Sequence, residues 1–426
     1  MASLMVLNML KGSGPRLRPS SGRTETVVRS SSRRPTTGEW WCWMVKAVGI
    51  DSGTKSMDIF GFDDETGEVI VDASVDRNRV TENPGIIIEL LREVQEEHGK
   101  IDAIVGPCGY GIPLKPAREA TDAEIALATF ITEADVGRRL KIVGLRELML
   151  MMREADDLNI YFTPGVIHLP TVPEWRKANR IDLGTADKVF TAALSIVREA
   201  ERKGVPYSET NLIAVEIGFA YTSAMAVKNG QIVDGMAGTA GFPGYLGMGF
   251  MDGELAYALA NALEDFGKMV LFQGGAAYVA GIDPFSVSPE EFVGLAKEDE
   301  EVRKGYEAMI EAIVKDVFAL LPSVTPDSIY LSGRFSRIPE FFRDVKEALE
   351  NAFETYGFSV DVLKLESRAR AKEAAEGSSI IANGIAGGKY RELVETLRLG
   401  ESSGSIFDWV KLKEREKLRI FEKLIV

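Results

Sequence analysis

The chain has 426 residues, 45% of them apolar and 27% charged, with 64 acidic residues against 50 basic ones and a net charge of −14. That length can bury at least two cores, and the acidic balance argues against a nucleic-acid partner, because a phosphate backbone would be repelled. The cysteines Cys42 and Cys108 are too few and too far apart for a disulfide framework, a zinc site or an iron–sulfur cluster, and no apolar run approaches the roughly 20 residues of a membrane span, so a cytoplasmic protein without membrane contact is expected.

Residues 1–43 hold six Arg and one Lys against two Glu, with many Ser, Thr and Pro and no sustained periodicity. They read as a disordered leader, as a targeting peptide whose charge does not precede the apolar stretch of a secretory signal, or as a mis-assigned start. On the last reading the fold begins at Met44 and the net charge without the leader is about −19. From there the pattern predicts a meander of strands over Met44–Asp51, Ser56–Phe62 and Glu68–Asp76, an amphipathic helix over Pro84–His98 and a buried strand over Ile101–Val105. The first strand ends in Val48-Gly49-Ile50-Asp51-Ser52-Gly53-Thr54. Glycine in such a turn lets backbone N–H groups approach phosphate oxygens, and the carboxylate beside it can hold a magnesium ion, usually through water. The loop Gly106 to Pro113, with Gly109, Tyr110 and Gly111, follows a strand's C-terminal end, where open α/β sheets bind ligands; a ligand-free connection is the alternative. Cys108 has no histidine nearby in sequence to activate it and reads as an inert small residue.

Helical patterns follow over Asp122–Ile131, Leu145–Ala155 and Thr185–Lys203, and the segment from Pro173 to Asp182 crowds charge in front of the last of them. A second acidic-glycine turn, Ala214-Val215-Glu216-Ile217-Gly218-Phe219, then ends a second buried strand. Each turn leads into a hairpin of its own, through Asp63–Gly67 in the first case and Lys228-Asn229-Gly230 in the second. Either turn alone is commonly a plain hairpin, whereas a pair is what a phosphate clamp requires. Beyond it lie helical patterns over Met248–Phe266 and over Glu290–Leu321, the latter broken near Lys297, and a charged amphipathic helix over Ser405–Val426. No repeat of 20 to 50 residues is present.

The two turns resemble the phosphate-1 and phosphate-2 motifs of the superfamily containing acetate kinase, sugar kinases, heat-shock-cognate chaperones and actin. The strand, glycine turn and helix start from Ser328 to Pro339 look like its adenosine motif, and Ala382 to Gly388 resembles its small-residue helix near the hinge. The stretch from Asn211 to Gly249 is most similar to butyrate and acetate kinases, and Met44 to Arg398 as a whole to an archaeal family described as predicted butyrate kinases. The resemblance implies a two-lobed actin-like ATPase fold (ribonuclease H-like), α/β, each lobe a mixed five-stranded sheet flanked by helices. Its division would be an N-terminal lobe over 44–205, a C-terminal lobe over 206–398 and a charged helical tail over 399–426.

The activity so implied is an ATP-dependent phosphotransfer, with ATP and Mg2+, to a small-molecule acceptor, a short-chain carboxylate such as butyrate among the candidates. The alternative is a nucleotide-switched ATPase or binding protein without an acceptor; a homodimer is the candidate assembly. Ser52, Gly53, Thr54, Lys55, Glu216, Gly218 and Thr222 would serve the phosphates, Gly333, Arg334 and Phe335 the adenosine, and Asp51 with Glu216 the metal. Asp51 would also be catalytic. Arg176 and Arg180 correspond to a basic stretch that faces the substrate cleft in butyrate kinases, which implies a clamp on a carboxylate or phosphoryl group; helix capping by Thr185 and plain surface charge are the alternative. Asp182 or Asp187 would orient or deprotonate the acceptor, with Gly109, Tyr110 and Gly111 on its side of the cleft. Two departures stand out. Glu216 occupies a position where many members have Asp, and neither His98 nor His168 lies where acetate kinases use histidine.

Overall fold

The computed structural model describes residues 44–138 and 140–424, so the readings made of the 1–43 leader lie outside the described residues. Two mixed sheets carry the fold. The first holds β1 (Lys46–Ser52), β2 (Ser56–Asp63), β3 (Val69–Asp76), β4 (Ala103–Val105), β5 (Lys115–Pro116) and β6 (Ile160–Phe162), in the order β3-β2-β1-β4-β6-β5. The second holds β7 (Leu212–Ile217), β8 (Thr222–Lys228), β9 (Gln231–Ala237), β10 (Ser328–Ser332) and β11 (Asp361–Lys364), in the order β11-β10-β7-β8-β9. One unit is thus built twice: an antiparallel three-strand meander whose first strand also pairs in parallel with a strand arriving after a helix. Against the five strands expected in each lobe, the first sheet has six, the extra one being the two-residue edge strand β5 paired with β6.

The central strands β1 and β7 are covered on both faces, which is why they read as continuous apolar runs rather than alternating ones. Alternation survives in where the residues go. Leu212 and Ala214 of β7 join the core of the first sheet, while Ile213, Val215 and Ile217 join that of the second. The layer between is the Ala186–Lys203 helix, with the Glu373–Ile385 helix wedged between it and β1. Only glycine permits this wedge. A methyl at Gly49 would lie 2.1 Å from Ser378 Oγ and from Ser379 N, and one at Gly377 would lie 2.1 Å from Phe190 O.

The long helix expected over Glu290–Leu321 is two, Pro289–Leu295 and Glu300–Ala319, the second restarted by the Asp299 carboxylate accepting from Glu301 N and Val302 N. The one expected over Met248–Phe266 is confined to Gly253–Ala262. The tail corrects the sequence reading: Ser405–Val426 forms no α-helix among its described residues, only turns and a 3-10 segment over Arg415–Glu422. Its local carboxylate compensates, since Asp408 accepts from Ser405 N and pairs with Arg415, while Ile406, Phe407 and Val410 are buried in the core of the first sheet. Among the described residues no helix is long and apolar enough to cross a membrane.

Candidate functional site

The two acidic-glycine turns meet. Asp51, at the end of β1, and Glu216, near the end of β7, are both buried and share one ammonium: Lys372 Nζ lies 2.7 Å from Asp51 Oδ2 and 3.1 Å from Glu216 Oε1. Lys188, in the first turn of the Ala186–Lys203 helix, stands 3.1 Å from the same Glu216 oxygen and 2.5 Å from Asp187 Oδ2. Thr191 donates to the other Glu216 oxygen at 2.9 Å. Both oxygens of Glu216 are therefore engaged, whereas neither oxygen of Asp51 accepts a well-directed hydrogen bond. Burial pushes the Asp51 carboxyl up, against the pull of Lys372; at Glu216 the two lysines overcome burial and hold the carboxyl low. Burial alone would lower Lys372, but Asp51 and Glu216 hold it well above the usual lysine range. The centre is a closed set of three carboxylates and two ammoniums.

A cavity of about 750 Å³ opens over this centre. Ser52, Gly53, Thr54 and Lys55 line it from the first turn, Gly218 from the second, and Arg334 from the turn at Gly333. Arg77, buried by the first sheet, donates to Ser52 Oγ at 3.0 Å and to Lys141 O at 3.1 Å; burial lowers it to about 10. Lys55 is poised 4.2 Å over the Phe219 ring. With Lys141, Lys188, Lys268, Arg337 and Lys372 also on the wall, cations surround the opening, a field suited to a polyanion.

Tyr110, Asp182, Tyr221, Gly238, Thr239 and Lys268 also line the cavity. Asp182 accepts from Gly184 N at 3.1 Å and from Thr239 N at 3.3 Å, and burial raises it to about 6 despite those donors. Lys268 donates to Phe130 O at 2.7 Å, and burial lowers it to about 8. Cys108 also lines the wall, and burial pushes its thiol up to about 12, consistent with an inert residue.

Several residues singled out in the sequence are not brought to the cavity. Arg176 donates to Val233 O at 2.8 Å and sits 3.4 Å from Asp234 Oδ2, and Arg180 reaches Met236 Sδ at 3.8 Å. Both guanidiniums are turned onto β9, because that strand's carbonyls and Asp234 lie closer to them than the cavity does. Gly111 is pressed against the Pro164–Gly165 backbone, Thr222 is buried within β8, and Phe335 packs in the second core against Tyr245 and Phe341. Gly218 N–H is spent on Tyr221 O at 3.0 Å, closing its turn. Gly333, at φ 86, fits only without a side chain, since a Cβ would stand 2.6 Å from Ile217 O. Arg77, Lys188, Lys268 and Lys372 were missed as functional residues; of these only Lys188, next to Asp187, carried a local signal.

A paired-carboxylate magnesium seat does not fit this arrangement. The space between Asp51 and Glu216 is taken by an ammonium, and among the described residues no group of three or more His, Cys, Asp or Glu could hold a metal ion.

A family model described as "Protein of unknown function (DUF1464)" matches residues 49–412. No curated protein sequence matches the chain. Among solved structures, the acetate kinase of Entamoeba histolytica is similar with a TM-score of 0.53 at 10% identity, over 78% of this chain and 98% of that one. The acetate kinase of Porphyromonas gingivalis gives 0.51 at 15% identity, over 79% and 98%, and a propionate kinase of Francisella tularensis subsp. tularensis SCHU S4 gives 0.52 at 12%, over 79% and 99%. At these identities the likeness shows the fold: that of the actin-like ATPases.

Proposed function

The chain belongs to the DUF1464 family of proteins of unknown function, and we propose that it is an ATP-dependent phosphotransferase whose reaction runs in the cavity between the two turns. One observation carries this reading: both acidic-glycine turns and Arg334 open onto a single cavity walled with cations. Phosphoryl transfer asks for positioning and charge neutralisation more than for covalent chemistry. Lys55, Lys188, Lys372 and Arg334 are the groups suited to neutralise a triphosphate, with the Gly53 turn close against it. Magnesium would enter with the nucleotide as its phosphate complex, a mode in which few protein ligands are needed.

The acceptor would enter beside Tyr110, Asp182 and Lys268, which line the same cavity. A carboxylate acceptor, such as the butyrate the sequence resemblance implies, is already a nucleophile and needs no base; Lys268 would offset its charge. Asp182 favours a second acceptor class. A carboxyl raised to about 6 is matched to accept a proton near neutral pH, which is what a hydroxyl acceptor requires.

Calorimetry with ATP and ADP in the presence of magnesium tests the first half, and absence of binding refutes it. Steady-state ATP turnover with a panel of short carboxylates and small alcohols tests the second. Strong stimulation by one compound is the expected outcome, and slow turnover indifferent to all of them indicates a nucleotide switch instead. Asp51→Asn should cut the stimulated rate about 100-fold, the order seen when one electrostatic stabiliser is lost.

A further inference from the structure

Lys372 is held in place from three sides. It precedes the Glu373–Ile385 helix, and Arg337, one turn beyond the adenosine-type glycine, grips the flanking backbone and side chain: Arg337 Nη1 donates to Ala371 O at 2.8 Å and Nη2 pairs with Glu373 Oε2 at 3.1 Å. Arg370 N donates to Asp72 Oδ2 at 3.0 Å, tying the same segment to β3. The ammonium itself closes the bridge between Asp51 and Glu216, and a methyl on Gly53, in the phosphate turn, would stand 3.8 Å from it. A long, flexible lysine side chain costs rotamer entropy to fix, and here the second sheet's own turn supplies the anchoring.

We propose that Lys372 is the resident cation of the Asp51–Glu216 pair: it occupies the seat that two facing carboxylates would otherwise offer to a divalent ion, and presents its charge to the phosphoryl group in the cavity. Two buried carboxylates this close repel each other, which a cation between them or a proton on one of them must offset, and here the Lys372 ammonium lies against both. Lys188 alone cannot offset that repulsion, because it pairs with Glu216 and Asp187, leaving Asp51 to Lys372. The consequence is that this pair binds no divalent ion by itself, and that magnesium dependence, where found, comes from the nucleotide. This rests on the phosphotransferase reading only for the role of the charge; the occupancy of the seat is independent of it.

The experiment is a Mn2+ titration of the full chain without nucleotide, followed by electron paramagnetic resonance, on wild type, Lys372→Met and the charge-balanced double variant Asp51→Asn/Lys372→Met, each checked by thermal melting. Wild type should hold no Mn2+ tighter than about 1 mM, weaker than dedicated carboxylate sites. Lys372→Met should gain a site at least about tenfold tighter, because the buried Asp51 carboxylate beside Glu216 loses its countercharge, and the double variant should lose that gain. A tight Mn2+ site in wild type overturns the proposal, and so does a folded Lys372→Met that gains none. Should Lys372→Met fail to fold, the wild-type titration still decides. Calorimetric ADP titration of the same samples reports on the phosphotransferase reading separately: no nucleotide binding defeats that reading and leaves the Mn2+ result standing.

Discussion

Asp316 is a buried carboxyl with half its needs met: Oδ1 accepts from Phe242 N at 2.9 Å, and Oδ2 has no partner. It stands behind the loop from Gly241 that leads to Gly249, and burial raises it to about 8. An unfolded chain would ionise it near 3.9. Between about pH 4 and pH 8 the folded protein therefore holds a proton that the unfolded chain releases, so stability from this group falls as pH rises across that window and is level above it. Asp316→Asn keeps the acceptor for Phe242 N and never ionises. Its melting temperature should exceed that of wild type by a margin that grows from pH 5 to pH 8 and then levels; a margin constant with pH would show that Asp316 is ionised in the fold. The same scale explains what could be read from sequence. Asp51 and Glu216 were legible because each interrupts an apolar run just before a glycine, a local pattern. Lys372 was not, because it lies in Arg368-Ala369-Arg370-Ala371-Lys372-Glu373, a run indistinguishable from a solvated face until the fold carries it to Asp51. Arg176 and Arg180 failed in the opposite sense. The resemblance to butyrate kinases implied a clamp, but a neighbouring strand offers Arg176 the Val233 carbonyl and the Asp234 carboxylate, and Arg180 the Met236 sulfur.

The elements that position the centre are a strand and a helix in backbone contact. Hairpins and central strands followed from period and turn residues, so most boundaries agree with the sequence reading to within two residues or so. The exceptions have physical causes. The tail carries helical periodicity, yet Asp408 draws Ser405 N and Arg415 to itself, and Phe407 and Phe421 pack on Phe130 with centroids at 5.5 and 4.6 Å. Tertiary packing overrode local propensity there. Where β1 meets the Glu373–Ile385 helix the tolerance is smallest. Gly49→Ala would put its methyl into Ser379 N, a backbone atom that cannot rotate away, and should cost at least about 3 kcal/mol, the upper end for overpacking or beyond it. Gly294→Ala is the control, since nothing lies within 4 Å of its added methyl and the residue is helical. Denaturant unfolding should find the control neutral or stabilised by about 0.5–1 kcal/mol and Gly49→Ala severely weakened. Equal stabilities would mean that the strand and helix separate at little cost.

At the scale of the molecule, the first sheet is completed by chain that arrives last. The Glu373–Ile385 helix follows the strands of the second sheet in the chain yet packs on β1, and the residues beyond it stay with the first core: Ser403 N donates to His168 O at 3.0 Å, Asn179 N to Trp409 O at 3.0 Å, and Lys177 Nζ lies 4.6 Å over the Trp409 ring. The buried charge centre repeats this interleaving, with Asp51 early in the chain, Lys188 and Glu216 midway and Lys372 late. A sequence divided at residue 205 looks like two lobes in succession, but the contacts of the first core span the whole described chain. Loop closure over such separations is costly before the contacts reward it, so the first sheet should gain its stability only once the second has brought the late helix back. The segment 44–205 expressed alone should therefore give a broad, non-cooperative thermal transition and bind a hydrophobic dye, whereas 44–426 melts cooperatively. A sharp melt for the fragment would show that β1 can be covered without the Glu373–Ile385 helix. In that case Lys372 could leave Asp51 without disturbing the first sheet, and the ion pair at the centre would be free to open.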